Sequence, residues 1–154
     1  MLINCGNSIY LAMLKNITKK KVYNILGVMS GTSMDGIDLS LIKTNGTNYV
    51  KVLNEKSYGY SLTLQNKIKK IIITKSLNTN NKIIKYYKQN ENIINEVYIF
   101  YIRKFLNELK INKDKIDFIS LSGQTVYHNP LKKITIQLGS KKVIANSFKI
   151  KTIC

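Results

Sequence analysis

The sequence predicts an α/β domain: a mixed sheet that opens with an antiparallel three-stranded meander and is flanked by helices. Three observations carry that expectation. Short β-branched and alternating runs fill residues 22–60. Apolar residues then recur at helical spacing to about residue 109. Short strand-like runs return from residue 116 onward, separated by Gly-containing loops.

The elements follow in order. "VYNILGVMS" (22–30) is rich in β-branched and apolar residues, as a largely buried strand is. "IDLSLIKT" (37–44) alternates Ile37, Leu39 and Leu41 with Asp38 and Ser40, the period of a half-buried strand. Asn45-Gly46 is a two-residue hairpin signal, since both residues tolerate positive φ. The third strand lies within 49–60. Ser61 is the N-cap of a helix over about 62–74, with Leu64, Ile68, Ile71 and Ile72 on one face. "SLNTNN" (76–81) is a polar linker. A long helix over about 82–109 carries Ile83, Tyr87, Ile94, Tyr98, Tyr101, Phe105 and Leu109 as its core stripe. "NKDK" (112–115) ends it, 116–122 is a strand, "GQTVYHNP" (123–130) is a loop, and 133–139 is another strand. A short helix and a final strand fill the rest. Residues 1–20 carry little pattern and end in a lysine run, so they read as a poorly structured extension in which Met13 is an alternative start.

Composition narrows the function classes. The net charge of +17 points first to an anionic partner, but Arg103 is the only arginine among the 25 basic residues. Nucleic-acid readers rely on arginine's bidentate fork. The lysines here are scattered, and the joint excess of Lys, Ile, Asn and Tyr is what AT-rich codons produce. The expectation is no nucleic-acid partner. Cys5 and Cys154 have no metal-ligand spacing and fit a reducing compartment. No apolar run approaches the roughly 20 residues of a membrane span. "SIYLAML" lacks both a basic leader and a cleavage site, so the expected location is cytoplasmic, without a membrane partner.

Two stretches hold more polar equipment than turns need. In "SGTSMDGID" (30–38), Gly31 permits a tight bend, and the Thr32 and Ser33 hydroxyls with nearby backbone N–H groups suit an anion. A carboxylate such as Asp35 or Asp38 beside an anion-binding loop makes sense if Mg²⁺ bridges carboxylate and anion. The plainer alternative is an Asp35-Gly36 hairpin turn. No Gly-Lys-Ser/Thr follows, so this is not a Walker A loop. In "SGQTVYHNP" (122–130), Gln124, Thr125 and His128 offer hydrogen bonds to sugar hydroxyls or amides just beyond a strand end, where α/β sheets bind ligands.

Taken together, "GVMSGTSMDGIDLSLI", "SGQTVYHNP", "TIQLG" and "KVIANSFKIKTI" resemble, in order and spacing, segments of the anhydro-N-acetylmuramic acid kinases. The likeness runs from about Tyr23 to Cys154. It implies the N-terminal lobe of an actin-like ATPase (ribonuclease H-like) fold over residues 21–154, truncated before a second lobe. It implies ATP and Mg²⁺ as cofactors and an amino-sugar substrate whose 1,6-anhydro ring is opened by water as O6 is phosphorylated, a step of peptidoglycan recycling. Carried over by position, Gly31, Thr32, Ser33, Met34, Asp35, Gly36, Ile37 and Asp38 form the ATP-phosphate loop. Gln124, Thr125 and His128 lie in or beside the sugar site, and no residue is assigned as a metal ligand.

Two departures shape the expectation. The family usually has His where Ser122 stands. Its Asp-Phe-Arg motif, whose aspartate is the general base, directly follows the segment matching Cys154, so this chain is expected to contain no catalytic residue and to be inactive alone. Three readings are to be separated: kinase ancestry with function supplied by a longer or split product, a non-catalytic remnant and, last, a basic nucleic-acid-binding module. The expected protein partner is a second copy (a homodimer) or a missing C-terminal half.

Overall fold

A computed structural model describes residues 22–72, 80–131 and 133–154. The expectations for residues 1–20 and for most of the linker fall outside them. The helix-face assignments of Ile72 and Ile83 concern side chains that are likewise not described.

The opening meander is present. Strands β1 (Tyr23–Ser30), β2 (Gly36–Thr44) and β3 (Val50–Gly59) are followed by helices α1 (Leu62–Ile72) and α2 (Asn80–Glu108). Then come β4 (Phe118–Ser122), β5 (Gln124–Asn129), β6 (Ile134–Leu138), α3 (Lys141–Phe148) and β7 (Lys151–Ile153). The five-stranded sheet runs β3-β2-β1-β4-β7, and β5 and β6 make a separate hairpin. β1 is antiparallel to β2 and parallel to β4, so the sheet is mixed.

Alternation decides the faces. Leu26 and Val28 of β1, Ile37, Leu39 and Leu41 of β2, and Ile119 and Leu121 of β4 are all buried on one side. Register aligns them, Leu26 with Leu41 and Ile119, Val28 with Leu39 and Leu121. Helix α2 supplies the opposing layer with Tyr87, Ile94, Tyr98, Tyr101, Ile102 and Phe105, which fall at i, i+3, i+4 and i+7 spacings on one helical face. Each fully buried Ile or Phe of this kind stabilises the fold by about 1.5–3 kcal/mol.

The helix ends have local causes. Ser61 caps α1 through its Oγ, which accepts from the Leu64 amide at 3.3 Å. Ser140 caps α3 in the same way. α2 ends where Lys110 turns left-handed (φ 53°) and the Ile111 amide reaches back to the Leu106 carbonyl at 2.8 Å. That is a Schellman closure made without glycine.

Two expectations need correcting. Asn45-Gly46 does not form a two-residue turn: Thr44 pairs with Val50, and residues 45–49 form a longer loop. The Asn45 side-chain oxygen closes it by accepting from the Thr47 and Tyr49 amides. The stretch 123–130 is not a loop, because residues 124–129 are strand β5, paired antiparallel with β6. A register shift between Thr125 and Tyr127 interrupts its alternation, and its polar composition masks the rest.

Candidate functional site

The two polar stretches meet at one end of the sheet. The loop over residues 31–35 leaves the carboxyl end of β1, and Gly123 leaves the carboxyl end of its parallel neighbour β4. Ligands of α/β sheets gather at such an end.

The first loop is held at both sides. The Met34 amide donates to the Gly31 carbonyl at 3.3 Å, and the Tyr60 amide donates to the Asp35 carbonyl at 2.7 Å. Met34, not Gly31, takes the left-handed conformation (φ 57°). Gly36 is not a turn residue either; it opens β2 opposite Gly59. A Cβ on Gly36 would come within 2.6 Å of the Tyr58 carbonyl oxygen, so close strand approach is what requires glycine here. Thr32, Ser33 and Asp35 are exposed, and the Ser33 hydroxyl donates to the Asp35 carboxylate at 2.6 Å.

Asp38 lies further along β2 on the face away from the helices. Register places Ser57, Asp38, Met29 and Ser122 in one row across β3, β2, β1 and β4, with Glu55, Ser40, Gly27 and Ser120 in the next row on the same face. These rows line a shallow, open concavity of about 850 Å³. Small side chains at Gly27, Ser40 and Ser120 leave its floor low. Among the described residues no three His, Cys, Asp or Glu side chains gather as a metal cage. A Mg²⁺ ion in this region would therefore take Asp35 or Asp38 together with phosphate oxygens, which is how Mg²⁺ is usually held beside nucleotides. The exposed carboxylates and hydroxyls fit that shared coordination.

The second stretch divides. Gln124 is 1% exposed and sits beneath the first loop. Its Oε1 accepts from the Ser30 hydroxyl at 2.5 Å, and its Nε2 donates to the Gly31 carbonyl at 2.9 Å. Thr125 is half-buried and accepts from Gln137. His128 is exposed, with Nδ1 2.9 Å from the Thr135 hydroxyl across the hairpin. It stands four residues beyond Gln124 along β5, roughly 13 Å at the usual strand rise. Gln124 thus joins the first loop, whereas His128 does not. Gly123 permits the junction, since a Cβ there would come within 2.9 Å of the Leu138 carbonyl oxygen.

Two residues that the sequence reading did not single out complete the cluster. Ser30 is buried between Gln124 and the Tyr60 hydroxyl, which lies 3.2 Å away. Burial pushes the Tyr60 phenol up to about 12; the Ser30 hydrogen bond lowers it in part, while Tyr101, Asp38 and Asp35 add to the rise. Ser30 was inside the quoted motif, but nothing marked it as inward-facing except its phase with Leu26 and Val28. Tyr60 gave no signal of its own.

Fold and site define an α/β protein whose polar groups gather beyond the carboxyl ends of two adjacent parallel strands. Comparison with known proteins makes this specific. The family model for anhydro-N-acetylmuramic acid kinase matches residues 23–154. An anhydro-N-acetylmuramic acid kinase of Brucella canis is 31% identical over 121 residues, covering 78% of this chain and 32% of the relative. Those of Rhodopseudomonas palustris and Zymomonas mobilis are 28% and 33% identical, covering 84% and 83% of this chain and 35% and 36% of the relatives. The chain belongs to the anhydro-N-acetylmuramic acid kinase family. It spans about one third of the length of the curated relatives it matches.

Proposed function

We propose that this chain supplies the ATP-phosphate lobe of a kinase that opens the 1,6-anhydro ring of anhydro-N-acetylmuramic acid and phosphorylates O6. Family membership supports the reaction class. The single observation that carries the reading to particular residues is the exposed loop 31–35, closed on both sides and set beside the Ser122-Gly123 junction at the end of two parallel strands.

The roles follow from the chemistry. Water's oxygen bonds the anomeric carbon as the bond from that carbon to O6 breaks. The freed O6 attacks the γ-phosphorus, and ADP leaves. Thr32, Ser33 and the loop amides face the ATP phosphates. Asp35 or Asp38 would hold Mg²⁺, which would supply charge neutralisation for the transferring group. Thr125 and His128 orient the sugar from the hairpin. Such positioning and charge stabilisation supply most of the acceleration in phosphoryl transfer. No described residue is assigned to take the proton from water, so the role proposed for this chain is binding and positioning. The product, N-acetylmuramic acid 6-phosphate, would return a cell-wall sugar to metabolism.

Calorimetric titration of the chain with Mg-ATP tests the reading. Binding is expected, with Thr32→Ala and Asp35→Ala weakening it at least tenfold. Equal affinity in the variants would remove the loop assignment. Absence of binding by the unaltered chain would remove the nucleotide reading for this chain.

A further inference from the structure

We propose that Gln124 is a positioning residue: it sets the conformation of the 31–35 loop from below and ties it to the hairpin β5–β6. The inference rests on reading that loop as the phosphate loop, but its physical basis is independent of any ligand. Both polar atoms of the Gln124 side chain are engaged inside the protein. Oε1 accepts from Ser30, the last residue of β1, and Nε2 donates to the carbonyls of Gly31 and Thr125. At 1% exposure the amide has no surface to offer a sugar.

The geometry of the connection explains why an amide is needed. The Gly31 carbonyl also accepts from the Met34 amide, the bond that closes the loop on itself. Fixing that oxygen therefore fixes the turn that puts Met34 at φ 57°. The same side chain must accept from a hydroxyl on one side and donate to a carbonyl on the other. Glutamine does both; glutamate and methionine do not. Ser30 completes the relay: its hydroxyl donates to Gln124 at 2.5 Å, with the Gly36 carbonyl a longer second acceptor at 3.2 Å, while its oxygen can accept from the Tyr60 hydroxyl. The Tyr60 backbone, in turn, holds the other side of the loop at Asp35. The loop is thus clamped at Gly31 and at Asp35 by two residues that are linked through Ser30.

Amide hydrogen exchange on the unliganded chain tests this, comparing Gln124→Met and Gln124→Glu with the unaltered protein. Methionine keeps the volume and loses both polar functions, whereas glutamate keeps the acceptor and loses the donor. The expected result is exchange at the Met34 and Tyr60 amides at least tenfold faster in both variants, with Leu26 and Ile119 in the central strands unchanged. Unchanged exchange at Met34 in both variants would overturn the proposal, as would equal acceleration at Leu26 and Ile119, because Gln124 would then be a core filler. Ser30→Ala gives a second route and is expected to speed the same two amides. Mg-ATP titration of the unaltered chain separates the two readings: if nucleotide does not bind while the exchange pattern holds, the loop reading fails and the positioning role stands.

Discussion

The Ser30 hydroxyl sits 2.5 Å from the Gln124 side-chain oxygen although 94 positions separate them in the chain, and both residues are buried. This contact joins the end of the central strand to the start of the hairpin that follows β4. Ser30→Ala leaves the Gln124 oxygen without its donor in the interior. The expected cost is about 1–3 kcal/mol, read as a lower urea midpoint at an unchanged denaturant slope.

Gly36→Ala is expected to destabilise by about 1–3 kcal/mol, because the new methyl meets the Tyr58 carbonyl rather than a movable side chain. Backbone conformation is not the cause, since Gly36 lacks a positive φ. Thermal unfolding of this variant beside Gly46→Ala checks the distinction. Gly46 has open space around it but φ 77°, so its penalty comes from conformation alone.

Alkaline pH should loosen the fold. The Tyr60 phenol is raised from an ordinary value of 10.0 to about 12, mainly by burial. A raised acid holds its proton in the folded state where the unfolded chain has lost it. Its contribution is therefore complete below pH about 10 and is lost as pH rises toward about 12. Urea midpoints measured across that interval should fall, and Tyr60→Phe should make the fall shallower. Burial raises the Tyr98 and Tyr101 phenols in the same direction, so some slope persists in the variant.

Under the proposed function, Asp38→Asn should reduce the enhancement of ATP affinity by Mg²⁺ roughly tenfold, about 1.4 kcal/mol, while affinity for metal-free ATP is maintained or rises. Titrations with and without Mg²⁺ separate the two quantities. Asp38 is exposed on the open face, so the change should leave the unfolding midpoint close to that of the unaltered chain.

Phe105→Ala probes the layer between α2 and the sheet. The ring is wholly buried, and its removal is expected to cost about 3–5 kcal/mol by urea unfolding.

Period made most of this fold legible. Leu39 and Leu41 alternating with Asp38 and Ser40 gave β2, and Tyr98, Tyr101 and Phe105 gave the buried face of α2. Strand β5 escaped because its register shifts between Thr125 and Tyr127 and polar residues flank its two apolar ones, Val126 and Tyr127. The left-handed helix ends at Lys110 and Lys149 escaped because neither carries the glycine that usually marks them. At the site, the loop's exposed hydroxyls and carboxylate were visible in its composition, but its anchoring was not. Gln124 looked like a ligand group because its type suits one, and only burial and the distance to Ser30 revealed an inward role. His128 stood in the same short motif, and a few residues of extended strand were enough to separate it from the 31–35 loop.

The separation of Ser30 from Gln124 also has a consequence in time. At about 5–20 residues per second, a ribosome needs roughly 5–20 s to cover the 94 positions from Ser30 to Gln124. During that interval β1 and β2 can zip together as neighbours, but the other edge of β1 has no β4 to pair with and the Ser30 hydroxyl has no amide to receive its proton. The loop is among the first of these residues to be synthesised, yet its locking waits for Gln124, so its final shape registers that the span up to β5 has been made and has docked.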